Sequence, residues 1–258
     1  MEPGLKGLLD LQGDNWLVNH VYAHLSKDDS QRRIGSGWFH PSSLSVKCDA
    51  LLAFEFLGAP KRTDLDPRTQ HIFSVGHDRD RTWKRWLRES GLSLVSEDRS
   101  DCARCGILDV DGRHICIPSA RIRGECDDVV RNPFTLAPSI FEFKTMNDWQ
   151  HKSLAMPLPE HVIQVHPYMH AKAILSAVIV YENKNDQKLK SYTVNFDHDT
   201  WLWIVERCQR ILDLLSRDFA PERTPTSFET SCDFFPICST AEFPALVEAY
   251  RTKAGLLG

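Results

Sequence analysis

The sequence predicts a mixed α/β protein in which helices wrap a central sheet, and two observations carry that expectation. The first ninety or so residues read as helices, whereas the chain after Gly91 breaks into short alternating segments in the order β-β-β-α-β. At 258 residues with 42% hydrophobic composition, the chain suits one large domain with a core that needs no disulfide staples. Three regions are expected: a helical part at 1–91 packed on the core, the α/β core at 92–216, and a tail at 217–258 holding Cys232 and Cys238. Together they are expected to make one compact domain.

Each element has a local reason. Asp14 can cap a helix over 15–25, whose apolar positions are Trp16, Leu17, Val21 and Leu25. Ser42 or Ser43 can cap a second helix through Phe56, stopped by Gly58 and Pro60. A third helix over 69–90 carries Phe73, Trp83, Trp86 and Leu87 on one side. Strand-like segments follow at 92–95, 107–110, 113–117, 121–131 and 140–144, with Asp111-Gly112 as a two-residue hairpin signal between two of them. A helix over 159–175 leads to strands at 177–182 and 189–196. Asp199 can then cap a helix over 200–216, and a last short helix is expected near 243–253.

Composition narrows the function. No apolar stretch reaches the ~18–20 residues that span a bilayer, and acids interrupt the N-terminal apolar run, so an intracellular, cytoplasmic protein without membrane contact is expected. A net charge of −4 leaves room for a local basic track but excludes a surface built wholly for polyanions. Thirteen Gly and fourteen Pro without a low-complexity run exclude collagen-like and disordered classes. The eight cysteines read as reduced thiols or metal ligands rather than a disulfide framework.

The chemistry concentrates in two segments. Residues two apart in a strand share a face, so Glu142 and Lys144 project together while Phe141 and Phe143 face the core. With Asp127 from the preceding strand they form a hard oxygen-donor site beside a positive charge, suited to Mg²⁺ or Mn²⁺ and a phosphate. Gln164 and Tyr168 stand one turn apart on the following helix. Asp128 reads as a solvated turn acid, and His161, His166 and His170 read as ordinary residues without a partner.

Gly124-Glu125-Cys126-Asp127, then Glu142-Phe143-Lys144, then Gln164 and Tyr168 spaced four apart resemble the motifs of the PD-(D/E)xK nuclease superfamily, in its RecB-like, phage-encoded exonuclease branch. The resemblance covers roughly residues 42–216 and implies a restriction-endonuclease-like core. It implies a Mg²⁺- or Mn²⁺-dependent DNA exonuclease in recombination, repair or phage genome processing, working in the host cytoplasm. Asp127, Glu142 and the Phe143 carbonyl would hold the ion, Lys144 would orient water or steady the phosphate, and Gln164 and Tyr168 would position the site. The branch carries a helix-borne Gly-x-x-x-His; here Asp80 stands four residues after Gly76 and His77 follows the glycine directly. Asp80 is the expected third ligand, with His77 as alternate. Arg79, Arg81, Lys84, Arg85 and Arg88 offer phosphate contacts to DNA, whereas Trp83 and Trp86 read as core before they read as stacking platforms.

The chain has no Gly-x4-Gly-Lys-Ser/Thr loop, so ATP-driven unwinding would come from a helicase or recombination partner. A catalytically silent nucleic-acid-binding module of the same fold is the alternative. Polarity, strand preference and oligomeric state stay open. Cys102, Cys105, His114 and Cys116 can make a tetrahedral zinc site across the expected hairpin. The resemblance also implies an iron–sulfur site using Cys48, Cys232 and Cys238, but Glu229 stands where the fourth cysteine is expected, leaving Cys208 or Glu229 as substitutes. Buried or incidental reduced thiols are the third alternative.

Overall fold

The computed structural model describes residues 37–46, 48–59, 67–95, 100–109 and 111–217, with 21, 24, 219, 221, 232, 234, 238, 245 and 247–249. Contacts divide the chain into two units, residues 1–32 with 63–77 and residues 33–62 with 78–258. In the first unit the described residues are Val21 and His24, both helical, and the opening of a long helix. The rest of the helix expected over 15–25 lies outside the described residues, as does most of that expected near 243–253.

The second unit is built on a mixed sheet of four strands in the order β5-β6-β7-β8. These are β5 (Asp128–Arg131), β6 (Pro138–Met146), β7 (Ser176–Asn183) and β8 (Leu189–Asn195). β6 and β7 are parallel, with Glu142 opposite Ile179, and the outer pairs are antiparallel. The β6–β7 crossover runs through α3 (Asp148–Ser153) and α4 (Pro159–Lys172). Parallel neighbours need such a long return, and a helix supplies it. The remaining helices are α1 (Asp49–Leu57), α2 (Pro67–Glu89) and α5 (His198–Ser216). Two short ladders stand apart: β1 (Ser100–Asp101) with β2 (Leu108–Asp109), and β3 (His114–Ile117) with β4 (Ile122–Glu125). The expected arrangement, a central mixed sheet flanked by helices, is the one found.

The two sheet faces bury different sets. Phe141, Phe143 and Val180 pack with Leu87 and Trp83 of α2, the Trp83 ring lying 5.8 Å and 5.4 Å from the two phenylalanine rings. Ile140, Ala177, Ile179 and Tyr181 join the main core with Val165, Tyr168 and Met169 of α4 and Ile204, Cys208 and Ile211 of α5. Trp83 is therefore core, as expected, while Trp86 is 43% exposed. Among the described residues no helix is long and apolar enough to cross a membrane.

Five local expectations change. Of the strand-like segment at 92–95 only Ser93 forms a bridge, opposite Val130. The segment 121–131 is two strands, broken at Cys126 and Asp127. There the Cys126 amide turns back to the Arg113 carbonyl at 3.2 Å rather than joining the sheet. Asp111-Gly112 does not join its neighbours as a hairpin, because β2 pairs with β1 and β3 with β4. It is a bend held by Arg113, whose Nε donates to Asp111 at 2.6 Å. The helix expected from Ser42 begins at Asp49 after a 3-10 turn at Pro41–Ser43. Buried Arg207 reaches from α5, donating to the Leu44 carbonyl at 2.8 Å and to Asp49 at 2.7 Å, which holds the intervening chain out of helix. Asp197, not Asp199, caps α5 by accepting from the Thr200 amide at 2.8 Å.

Gly124 on β4 is fixed by close approach. A Cβ there would lie 2.8 Å from the Pro41 ring Cδ and 3.7 Å from Tyr168. A proline ring cannot swing aside, so Gly124→Ala should destabilise the fold by about 1–3 kcal/mol. A Cβ at Gly76, inside α2, meets nothing within 4 Å. Gly76→Ala should therefore stabilise by about 0.5–1 kcal/mol through helix propensity. Denaturant melts of the two variants check the pair, and equal effects would show that the Pro41 contact is not limiting.

Candidate active site

The site forms where β5 stops short of the end of β6. Asp128 is opposite Phe141 in the ladder, so beyond that pair the edge of β6 has no strand partner. Asp127 fills the gap with its side chain, Oδ2 accepting from the Phe143 amide at 2.8 Å. The amide and carbonyl of one strand residue point to the same edge, so the Phe143 carbonyl opens towards Asp127 as well.

Glu142 and Lys144 share the α4 face of β6, as their spacing predicts. Glu142 is 2% exposed, and its Oε1 accepts from Lys144 Nζ at 2.7 Å and from Gln164 Nε2 at 2.7 Å. The Tyr168 side chain is buried one turn along α4 from Gln164. Glu142 Oε2 is buried without a hydrogen-bond partner among the described residues.

α2 supplies the third acid. Lys84 Nζ bonds Asp80 Oδ2 at 2.6 Å and lies 3.8 Å from Asp127 Oδ1, while Asp80 Oδ1 is likewise buried and unpartnered among the described residues. His77, the alternate, is exposed on α2. Burial and the charge of Asp127 push the Glu142 carboxyl up to about 8, against the pull of Lys144. Burial and Asp80 raise Asp127. Burial pulls the Lys144 ammonium down, but Glu142, Asp127 and Asp80 outweigh it and leave it above its ordinary value.

Other assigned residues have different surroundings. Asp128 is fully buried rather than solvated, taking Ser93 Oγ at 2.9 Å and the Val129 amide at 2.7 Å. Arg79 is committed to buried Glu182 through two bonds of 2.7 Å, and Lys84 turns into the acidic cluster. Arg81 pairs with Asp78, Arg85 lies 3.8 Å from Glu89 and Arg88 lies 3.7 Å from Asp111. The three histidines have partners after all. His161 Nδ1 meets the Tyr181 hydroxyl at 2.9 Å, His166 bridges the Val162 carbonyl and the Asp197 amide, and His170 stacks on Trp201 at 4.0 Å.

Sequence reading missed α3 and the exposed Trp149 on it. Trp149, Leu154, Met156 and Leu158 line an open cavity with Met146, which lies two residues beyond Lys144 on the same face of β6. The sequence signal for it is a single tryptophan inside the polar run from Asn147 to Ser153.

Cys102, Cys105, His114 and Cys116 place their ligand atoms within 4.8 Å of one another and could hold a metal ion. Cys48, Cys232 and Cys238 pack at the edge of the main core, and among the described residues they form no such group. Cys208 is fully buried there.

No family model matches the chain, and no curated protein matches it. The crystal structure of SSO0001 is similar at a TM-score of 0.51 and 15% identity, over 87% of this chain and 96% of that one. The likeness to SSO0001 is one of fold. LHK-Exo in complex with dAMP gives 0.49 at 16% identity, over 93% and 100%. The alkaline exonuclease LHK-Exo from Laribacter hongkongensis gives 0.45 at 15%, over 92% and 100%.

His161, beside this site, supplies a pH dependence. Burial, with the charge of Lys144, lowers its pKa to about 4. The unfolded chain, with an ordinary value of about 6.5, then binds more protons between those limits. Stability from this residue is complete above about 6.5 and is lost as pH falls towards 4. Thermal melts at pH 7 and pH 5 should show a smaller loss in His161→Gln than in the unsubstituted protein. Equal losses would remove His161 as the cause.

Proposed function

We propose that the chain is a divalent-metal-dependent DNA nuclease, an exonuclease of recombination, repair or phage genome processing. The observation that supports it is Glu142 Oε2, a buried carboxylate oxygen that has no hydrogen-bond donor among the described residues and stands near enough to Asp127 and Asp80 to feel both charges. Those three carboxylates and the Phe143 carbonyl are hard oxygen donors of the kind Mg²⁺ and Mn²⁺ take, although as they stand the carboxylate oxygens are not gathered as closely as the Cys102 group, so an ion would have to draw them together. Such an ion, when bound, polarises a phosphate oxygen and acidifies a water.

The chain's own groups do the rest. Asp127 is held to the β6 backbone and Glu142 to Gln164, which limits the orientations either carboxylate can take. Lys144, tied to Glu142, can swing its ammonium to the attacking water or to the developing charge on the phosphate. Tyr168, one turn further along α4, is buried beside the same face. Trp149 and Met156 offer an apolar wall on which a nucleobase of the substrate can stack. Unwinding of a duplex would fall to a separate helicase or recombination protein.

One observation favours a second reading, a silent DNA-binding module. Lys84 already neutralises Asp80 and approaches Asp127.

End-labelled single- and double-stranded DNA, incubated with Mn²⁺, Mg²⁺ or EDTA, separates the two. The nuclease reading expects metal-dependent cleavage that falls about 10²-fold or more in Lys144→Ala and in Asp127→Asn. DNA retention without cleavage by folded protein would establish the silent module. Trp149→Ala should raise KM about tenfold with kcat nearly unchanged, since one stacked base contributes about 1–3 kcal/mol. An unchanged KM would remove the stacking wall.

A further inference from the structure

The geometry points to a structural Zn²⁺ held by Cys102, Cys105, His114 and Cys116, a site separate from the acidic cluster. Their four ligand atoms all lie within 4.8 Å of one another, and Cys105 Sγ is 3.1 Å from His114 Nε2. Zn–S bonds of about 2.3 Å and Zn–N bonds of about 2.0 Å set tetrahedral ligand atoms roughly 3.5–3.8 Å apart. Closing the cluster on an ion needs only small side-chain movements.

The backbone is shaped for the task. Cys102 to Gly106 is a tight loop in which the Cys105 and Gly106 amides both bond the Cys102 carbonyl, at 3.2 Å and 2.7 Å. Gly106 sits at φ 69°, a left-handed conformation that glycine adopts freely. The β1–β2 ladder closes this loop at its base. His114 and Cys116 come from β3, two apart and on one face. The His114 amide bonds Asp109 at 3.3 Å, which ties β3 to the end of β2.

The donor set chooses the ion. Three thiolates and an imidazole are soft donors that suit zinc and disfavour Mg²⁺ or Mn²⁺. On binding, the three thiols release their protons to solvent and His114 coordinates as neutral imidazole. The assembled centre then carries one net negative charge. Lys172, whose Nζ lies 3.4 Å from the His114 carbonyl, is placed to offset it.

The ion would join two pieces of chain that little else holds together. β1 and β2 pair over two residues each, too few for an independent ladder. β3 pairs with β4, and β4 ends at Glu125, two residues before Asp127. Arg113, next to His114, donates to the Asp127 carbonyl at 3.2 Å.

The test uses the full chain purified without added metal or chelator, and none of its readouts needs DNA cleavage. Elemental analysis should find about one zinc per chain, absent from a Cys102→Ser, Cys105→Ser double variant. The zinc should persist in a Cys48→Ser, Cys232→Ser variant. Protein stripped with a chelator should melt at a lower temperature and recover on adding Zn²⁺ alone. Loading the stripped wild type with Co²⁺ should give the visible absorption of tetrahedral cobalt–thiolate, which needs no variant to fold. Folded wild type with neither zinc nor a cobalt spectrum would overturn the site. So would iron in its place, or zinc that persists in the double variant.

Discussion

Three carboxylates, Asp80, Asp127 and Glu142, stand near one another around β6, partly or wholly withdrawn from water, and much around them answers that constraint. Like charges brought together away from water each favour the neutral form. Lys84 faces Asp80 and Asp127, and Lys144 faces Glu142, so two ammonium groups stand against three acids. The imbalance shows in Glu142, whose carboxyl is pushed up to about 8 by burial and by Asp127 even with Lys144 bonded to it. Breaking one member of such a group leaves a buried charge uncompensated, which is why buried ion pairs resist single substitution more than exposed ones.

The carboxylates are brought together by features with no chemistry of their own. β5 begins one residue after Asp127, so the Phe143 amide, which a longer strand would have paired, takes the Asp127 side chain instead. α2 is pinned across the sheet by Arg79, which grips Glu182 of β7 through both its carboxylate oxygens. Trp83 adds an indole N–H to the same carboxylate at 3.2 Å and lays its ring against Phe141 and Phe143. Arg79 and Trp83 are one turn apart on α2, as are Asp80 and Lys84. The pinning that orients the first pair therefore orients the second towards Asp127.

Much of this was legible in the sequence, and what was not had a common cause. The period of two in Ile140 to Lys144 placed Glu142 and Lys144 on one face, and the period of 3.6 located α2, α4 and α5 to within a few residues. These are local patterns. The break at Cys126 and Asp127, the partner of β3, and the burial of Asp128 depend on chain elsewhere, at Arg113, β4 and Ser93 respectively. The partners of the basic stripe of α2 are out of reach of local pattern for the same reason. Glu182, which meets Arg79, lies more than one hundred residues away.

The cysteine–histidine group shows how a local error and a correct grouping coexist. A hairpin at Asp111-Gly112 would have set Cys105 against β3 directly; the chain instead closes Cys102 and Cys105 in their own loop through β1 and β2. The gathering survives because a Cys-x-x-Cys loop and a His-x-Cys strand each present two donors on one side, whichever strands they pair with. Separation by donor type follows. Sulfur and imidazole collect on β3 and the loop before it, and oxygen collects where β4 gives way to β5. If both proposed sites bind metal, hard and soft ions would sort between them by donor chemistry alone, although β3 and β4 are hydrogen-bonded neighbours.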